Sequence, residues 1–154
     1  MNSTEANDEY WMQFAYEQAA LAASEDEIPV GAVIVENGKI IASNHNQNRT
    51  NIDPTAHAEI MVLREASLKK NSHRLDDCDL YVTLEPCAMC AAAISLARIR
   101  NVYYACDDKK FGAVENGIRF FKSASCLHEP QVYSGISESE SKEILQAFFA
   151  KLRD

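Results

Sequence analysis

Two short stretches constrain this chain more than anything else in it: Pro54-Thr55-Ala56-His57-Ala58-Glu59 and Pro86-Cys87-Ala88-Met89-Cys90. Together they read H-A-E, an interval, then P-C-x-x-C. They supply one imidazole, two thiolates and one carboxylate, and a fold must bring all four to one place. Zinc favours nitrogen and sulfur donors, and a catalytic site keeps three protein ligands and leaves the fourth position to water. His57, Cys87 and Cys90 are the candidate metal ligands. Glu59 is the candidate catalytic proton carrier and should not be a ligand.

Local geometry sharpens this. Cys87 and Cys90 are i and i+3, so on a helix opening at Pro86 they point to one side and can share a metal. A helix N-terminus carries unpaired N–H groups and partial positive charge, which favours thiolate over thiol. His57 and Glu59 are i and i+2, which a regular helix would splay apart. Both reach one site only if His57 sits at the irregular entry to its helix and Glu59 in the first turn.

The rest of the chain supplies a frame. Apolar spacing predicts a first helix over Asn7–Ser24, with Trp11, Phe14, Ala15, Gln18, Ala19, Leu21 and Ala22 on its face. Ile28–Val35 and Lys39–Asn44 read as a hairpin about Asn37-Gly38, because both central residues of a type I′ turn need positive φ. After a polar loop over 46–53, Pro54 suits the first turn of a second helix running to Lys69. Asp79–Leu84 and Asn101–Ala105 read as strands on either side of the Cys87 helix. Residues 106–129 read as loop with short helical turns, Gln131–Tyr133 as a short strand, and Ser137–Lys151 as a last helix. Ser137 with Glu140 offers that helix a capping box, and Ile144, Leu145, Phe148, Phe149 and Leu152 would face the core. The order predicts one α/β domain over residues 1–154, a sheet covered by helices.

Composition excludes several classes. No apolar run approaches membrane-spanning length, and the acidic start MNSTEANDEYW lacks the basic and apolar segments of a signal peptide. Five cysteines, two of them in C-x-x-C, suit a metal and a reducing cytoplasm better than a disulfide framework. The net charge of −8 argues against a nucleic-acid partner, but seven acids lie within residues 1–27, leaving 16 acidic against 15 basic residues elsewhere. Charge therefore does not decide the partner.

The chemistry follows from the donor set. Zinc lowers the pKa of water toward neutrality. Glu59 then takes that proton and returns it to the substrate and its leaving group, serving as base and then acid. Competing readings are a Cys87–Cys90 redox pair, incidental polar residues at 57 and 59, or a structural zinc. The last needs a fourth ligand from Cys78, Cys106, Cys126, His45, His73 or His128, none of which has close ligand spacing.

H-x-E followed by P-C-x-x-C is the known signature of the zinc nucleobase deaminases, a recognised pattern and not one deduced from spacing. The chain resembles the bacterial tRNA-specific adenosine deaminases of the cytidine-deaminase-like superfamily. The likeness runs through Asp8-Glu9-Tyr10-Trp11-Met12, Ile28–Val33, Asp53–Ile60, Leu80–Cys87 and the Phe148-Phe149 and Arg153 end. It implies a three-layer α-β-α fold with a five-stranded mixed sheet. It also implies deamination of adenosine to inosine at the wobble position of a tRNA anticodon, typically an arginine tRNA. One Zn2+ per subunit and a cytoplasmic homodimer binding an anticodon stem-loop are further implications. Asn46 would contact the flipped base, Ala58 would offer its backbone, and Glu85 would orient rather than react. Candidate RNA contacts are Lys69, Lys70 and Arg74 after the second helix, Asp108 and Lys110 after the fourth strand, and Phe149 and Arg153 on the last helix. The alternative within the superfamily is a free nucleobase or nucleoside deaminase of guanine or cytosine type, which uses the same zinc chemistry.

Overall fold

The structure is a computed structural model and describes residues 7–153. Four helices and five strands follow the anticipated order. They are α1 (Asp8–Ser24), β1 (Gly31–Glu36), β2 (Lys39–His45), α2 (Ala58–Lys70), β3 (Cys78–Leu84), α3 (Ala88–Ala97), β4 (Asn101–Cys106), β5 (Gln131–Tyr133) and α4 (Glu138–Arg153), with a 3-10 turn at Phe120–Lys122.

The sheet order is β2-β1-β3-β4-β5. β1 is antiparallel to both neighbours, while β3, β4 and β5 are parallel. Hence β2, β3, β4 and β5 all run one way and β1 alone is reversed. Their C-terminal ends share one edge of the sheet, from which both ligand segments emerge.

Both faces of the sheet are buried. Ala32, Ile34, Leu80, Val82, Val102 and Tyr104 pack with Val62 and Ala66 of α2 and Ala91 and Ile94 of α3. The alternate residues Val33, Val35, Tyr81 and Ala105 pack with Met12 and Ala15 of α1. Period-two alternation serves both helical layers at once, giving three layers, α-β-α.

The apolar face of α1 departs from expectation at Leu21. The fully buried stripe of α1 is Met12, Ala15, Ala19 and Ala22, while Leu21 stands exposed. Small residues win there because α1 lies directly on β1. A Cβ at Gly31 would fall 2.0 Å from Ala15 O. Trp11 and Phe14 are partly buried and pack against that core, in edge contact with Tyr10.

The hairpin forms as anticipated, with φ of 50° at Asn37 and 72° at Gly38. Element ends differ elsewhere. β1 starts at Gly31 and not Ile28, because Val30 N–H closes a tight turn on Ile28 O around Pro29. Ser137 has φ of 54°, left-handed and not the extended conformation of an N-cap, so the capping box with Glu140 is not built. On α4, Phe148 and Ser141 are buried, but Phe149 and Leu152 face outward. No helix among the described residues is long and apolar enough to cross a membrane.

Candidate active site

Each ligand segment enters its helix one step differently from the simplest reading. Asp53 and Pro54 form a turn and not a first helical turn: Ala56 N–H donates to Asp53 O, and Asp53 Oδ1 accepts from Thr55 N–H and Oγ1. This delays α2 to Ala58 and leaves His57 as its N-cap, in extended conformation at φ −72° and ψ 154°. Glu59 falls in the first turn, so the i, i+2 pair converges as anticipated. Likewise Cys87 is the N-cap of α3, at φ −76° and ψ 177°, and Cys90 is its third helical residue. Those two positions face each other, as the partners of a capping box do.

The three donors meet. His57 Nδ1 lies 3.5 Å from both Cys87 Sγ and Cys90 Sγ. All three donor atoms lie within 4.8 Å of one another. Zinc–nitrogen and zinc–sulfur distances of about 2.0–2.1 and about 2.3 Å put a tetrahedral N···S edge at about 3.5 Å, so the triangle fits zinc. Among the described residues no fourth protein donor joins it. His45 is engaged by Gln18 and Glu25, His128 by Ile99 O, and Cys126 by Ser95. A three-ligand set with an open position is the catalytic pattern, not the structural one.

The three groups shift one another's protonation. The hydrogen bond from the Cys90 thiol holds Cys87 down to about 4, as a thiolate. That same bond, with burial and the nearby Glu59 charge, pushes Cys90 far up. Contact with Cys87 raises His57.

Glu59 stands outside the donor triangle and is 4% exposed. Burial pushes its carboxyl up to about 7, the range in which one group both takes and gives a proton at neutral pH. It lines a cavity of about 450 Å³ with Ile28, Val30, Asn46, His57, Leu84, Glu85, Cys87, Asp108 and Phe111.

Asn46 is buried in the wall of this cavity, and its Oδ1 accepts from Ala58 N–H at 2.8 Å. That bond fixes the amide orientation and leaves Nδ2 as the donor toward the cavity. In this structure the same bond engages the Ala58 N–H.

Glu85 gathers the turn after β4. Its carboxylate accepts from Asp108, Val114, Glu115 and Asn116 N–H and from Asn116 Nδ2, at 2.7–3.0 Å. The whole turn over 107–116 is wrapped about one buried carboxylate at the cavity rim. Glu27, also buried, accepts from Arg49 N–H, Thr50 N–H and Thr50 Oγ1 and braces the loop that carries Asn46. Sequence reasoning missed Glu27, which looked like one acid in an acidic run.

The candidate RNA contacts scatter. Asp108 lines the cavity and Lys110 adjoins it, its ammonium 5.1 Å from the Phe111 ring centre. Lys69, Lys70 and Arg74 lie at or beyond the far end of α2, with Lys70 about 16 Å along the axis from Glu59. Lys70 pairs with Glu36 and Asp77, and Arg74 with Asp76, so these cations are already matched. Phe149 stands half-exposed on α4 against Phe148. The side chain of Arg153 lies outside the described residues.

The profile of the MafB19-like deaminases matches residues 6–153. The chain is 54% identical to the tRNA-specific adenosine deaminase of Agrobacterium fabrum, over 94% of this chain and 95% of that protein. A solved tRNA:A34 deaminase, studied for A-to-I editing at the wobble position, superposes with a TM-score of 0.87 at 55% identity. It covers 88% of this chain and 98% of its own. A guanine deaminase from Bacillus subtilis superposes at 0.65 with 32% identity, covering 97% and 96%.

Proposed function

The chain belongs to the MafB19-like deaminases and, among them, to the tRNA-specific adenosine deaminases, and we propose that it converts adenosine to inosine at the wobble position of a tRNA anticodon. Residues 1–154 act as one deaminase domain. The water oxygen bonds to C6 of the purine, the C6–N6 bond breaks, and ammonia leaves.

The observation that carries this chemistry is the triangle of His57 Nδ1, Cys87 Sγ and Cys90 Sγ beside buried Glu59 in one cavity. His57, Cys87 and Cys90 would hold zinc, which when bound supplies the Lewis acid that makes water nucleophilic near neutral pH. Glu59 takes the proton from the attacking water, delivers it to ring N1, and passes a second proton to the departing amine. Asn46, set by Ala58 N–H, donates through Nδ2 to an acceptor nitrogen of the purine. Ile28, Val30 and Leu84 give the ring apolar walls and keep bulk water out.

We read the protein as a cytoplasmic homodimer with one zinc per subunit. The support for pairing is an apolar groove between α2 and α3, lined by Leu63, Leu68, Ala93, Leu96 and Leu127. Leu68 and Leu96 are largely exposed there, a contiguous patch of the kind a second copy covers.

The net charge of −8 favours one other reading, a free-base deaminase with the same centre. A substrate comparison at moderate salt separates the two. Inosine formed in an anticodon stem-loop, with free adenine, guanine, cytosine and their nucleosides untouched, supports the tRNA reading. Ammonia released from a free base with the stem-loop intact overturns it.

A further inference from the structure

The turn after β4 carries an aromatic ring that the fold leaves outside its core. Phe111 is 66% exposed, yet it lines the catalytic cavity with Asn46, Glu59 and Cys87. Its backbone is held from several sides. Phe111 and Lys110 N–H donate to Asp108 Oδ1 at 3.0 and 3.1 Å, and Asp108 N–H donates to Glu85 Oε1 at 2.9 Å. Gly112 sits so close that a Cβ there would fall 2.6 Å from Glu85 Oε1 and 2.4 Å from Asp108 O. The ring is therefore presented at the cavity mouth by a braced turn, with the Lys110 ammonium near its face.

We propose that Phe111 is a stacking platform for a base flanking the adenosine being deaminated, with Lys110 placed for the adjoining phosphate. This rests on the tRNA reading and deepens it. An enzyme acting on one base of a nucleic acid must draw that base out of its stack, and its neighbours then lose a partner. A fixed aromatic face beside the pocket replaces that partner, and it does so for any base because every base has a π-face. The adjacent ammonium offers a phosphate its counter-charge. A free nucleobase filling the cavity has no neighbour to stack. Phe111 thus offers a polymer substrate a contact that a monomer lacks, which makes it a specificity residue beside the reacting centre.

The test uses zinc-loaded Glu59→Gln protein, so that bound RNA persists, and stem-loops carrying 2-aminopurine on either side of the wobble adenosine. Stacking on an aromatic ring quenches 2-aminopurine fluorescence. Quenching at one flanking position is expected with Phe111 and with Phe111→Tyr, and its loss with Phe111→Leu and Phe111→Ala. Affinity for the unlabelled stem-loop should fall about 5- to 100-fold in Phe111→Ala. Phe111→Leu keeps apolar bulk without a π-face, so a merely structural role would leave its quenching intact. Equal quenching in Phe111→Leu and the parent, or a stem-loop affinity unchanged by Phe111→Ala, overturns the proposal. Failure of the unsubstituted protein to deaminate the stem-loop is a separate result: it removes the tRNA reading and this inference with it.

Discussion

Replacing Glu85 by glutamine keeps the side chain's shape and removes its charge and one acceptor oxygen. In the native protein Oε1 accepts from Asp108 N–H and Asn116 Nδ2, and Oε2 accepts from Val114, Glu115 and Asn116 N–H. An amide has a single oxygen, so its NH2 must face donors on one side or the other. The better placement keeps the three bonds at Oε2 and loses the two at Oε1. Net hydrogen bonds to a charged group contribute about 1.5–3 kcal/mol each, so two lost bonds amount to about 3–6 kcal/mol. Part of that returns, because a glutamine carries no buried charge, and we expect a net loss of about 2–4 kcal/mol. The turn over 107–116 should loosen first. Urea unfolding should show the lost stability, and hydrogen exchange at the Asp108 amide, whose acceptor is Oε1, should accelerate. Zinc should stay, since none of its ligands bonds to Glu85. The KM for a stem-loop should rise, because Asp108 and Phe111 stand on that turn. If Glu85→Gln unfolds within about 0.5 kcal/mol of the parent with the Asp108 amide still protected, the brace is not what holds the turn.

Glu59→Gln should keep stoichiometric zinc while kcat falls about 100- to 10,000-fold; normal turnover would place the proton on another group. Cys87→Ala should purify without zinc, and a full complement of metal by elemental analysis would refute its part in the triangle. Glu27→Gln should cost about 1–3 kcal/mol at pH 7, through the Thr50 and Arg49 bonds. Burial pushes the Glu27 carboxyl up, but the Thr50 and Arg49 hydrogen bonds outweigh it and hold the folded pKa below the ordinary value. Its stabilisation is therefore full above the unfolded pKa of about 4.3 and lost as pH falls through the folded one. The gap between parent and variant should close in that acid window, and a gap that persists there would show that the carboxylate charge is not its source. Leu68→Glu with Leu96→Glu should give a monomer by sedimentation, and a dimer that survives both charges would exclude the α2–α3 groove as its interface.

The parts of the site that were legible in the chain are short-range. Asn37-Gly38 announced its hairpin because the two positive φ values it needs are costly for most residues. The i, i+2 spacing of His57 and Glu59 forced His57 to the helix entry, where it stands. Misread ends have local causes as well: the Asp53 side chain captured Thr55, and a tight turn captured Pro29. The braces were not legible. Glu85 takes its partners 23 to 31 residues downstream, and Glu27 reaches a loop 22 and 23 residues away. Nothing in either acid's neighbours marks it as buried.

By itself the sequence determined the donor types and their local pitch, a thiol at a helix start with another three residues on, and a histidine with a carboxylate two residues beyond. Those depend on backbone geometry within a single turn, which a few residues specify. Only the tertiary structure decided that His57 meets Cys87, 30 residues away, and that Glu85 and Phe111 face the same cavity. That follows from strand direction. Because β1 alone is reversed, β2, β3 and β4 deliver their C-terminal ends, and the loops and helices beyond them, to one edge of the sheet. Direction is set by ladders between distant strands, which no single stretch of the chain contains.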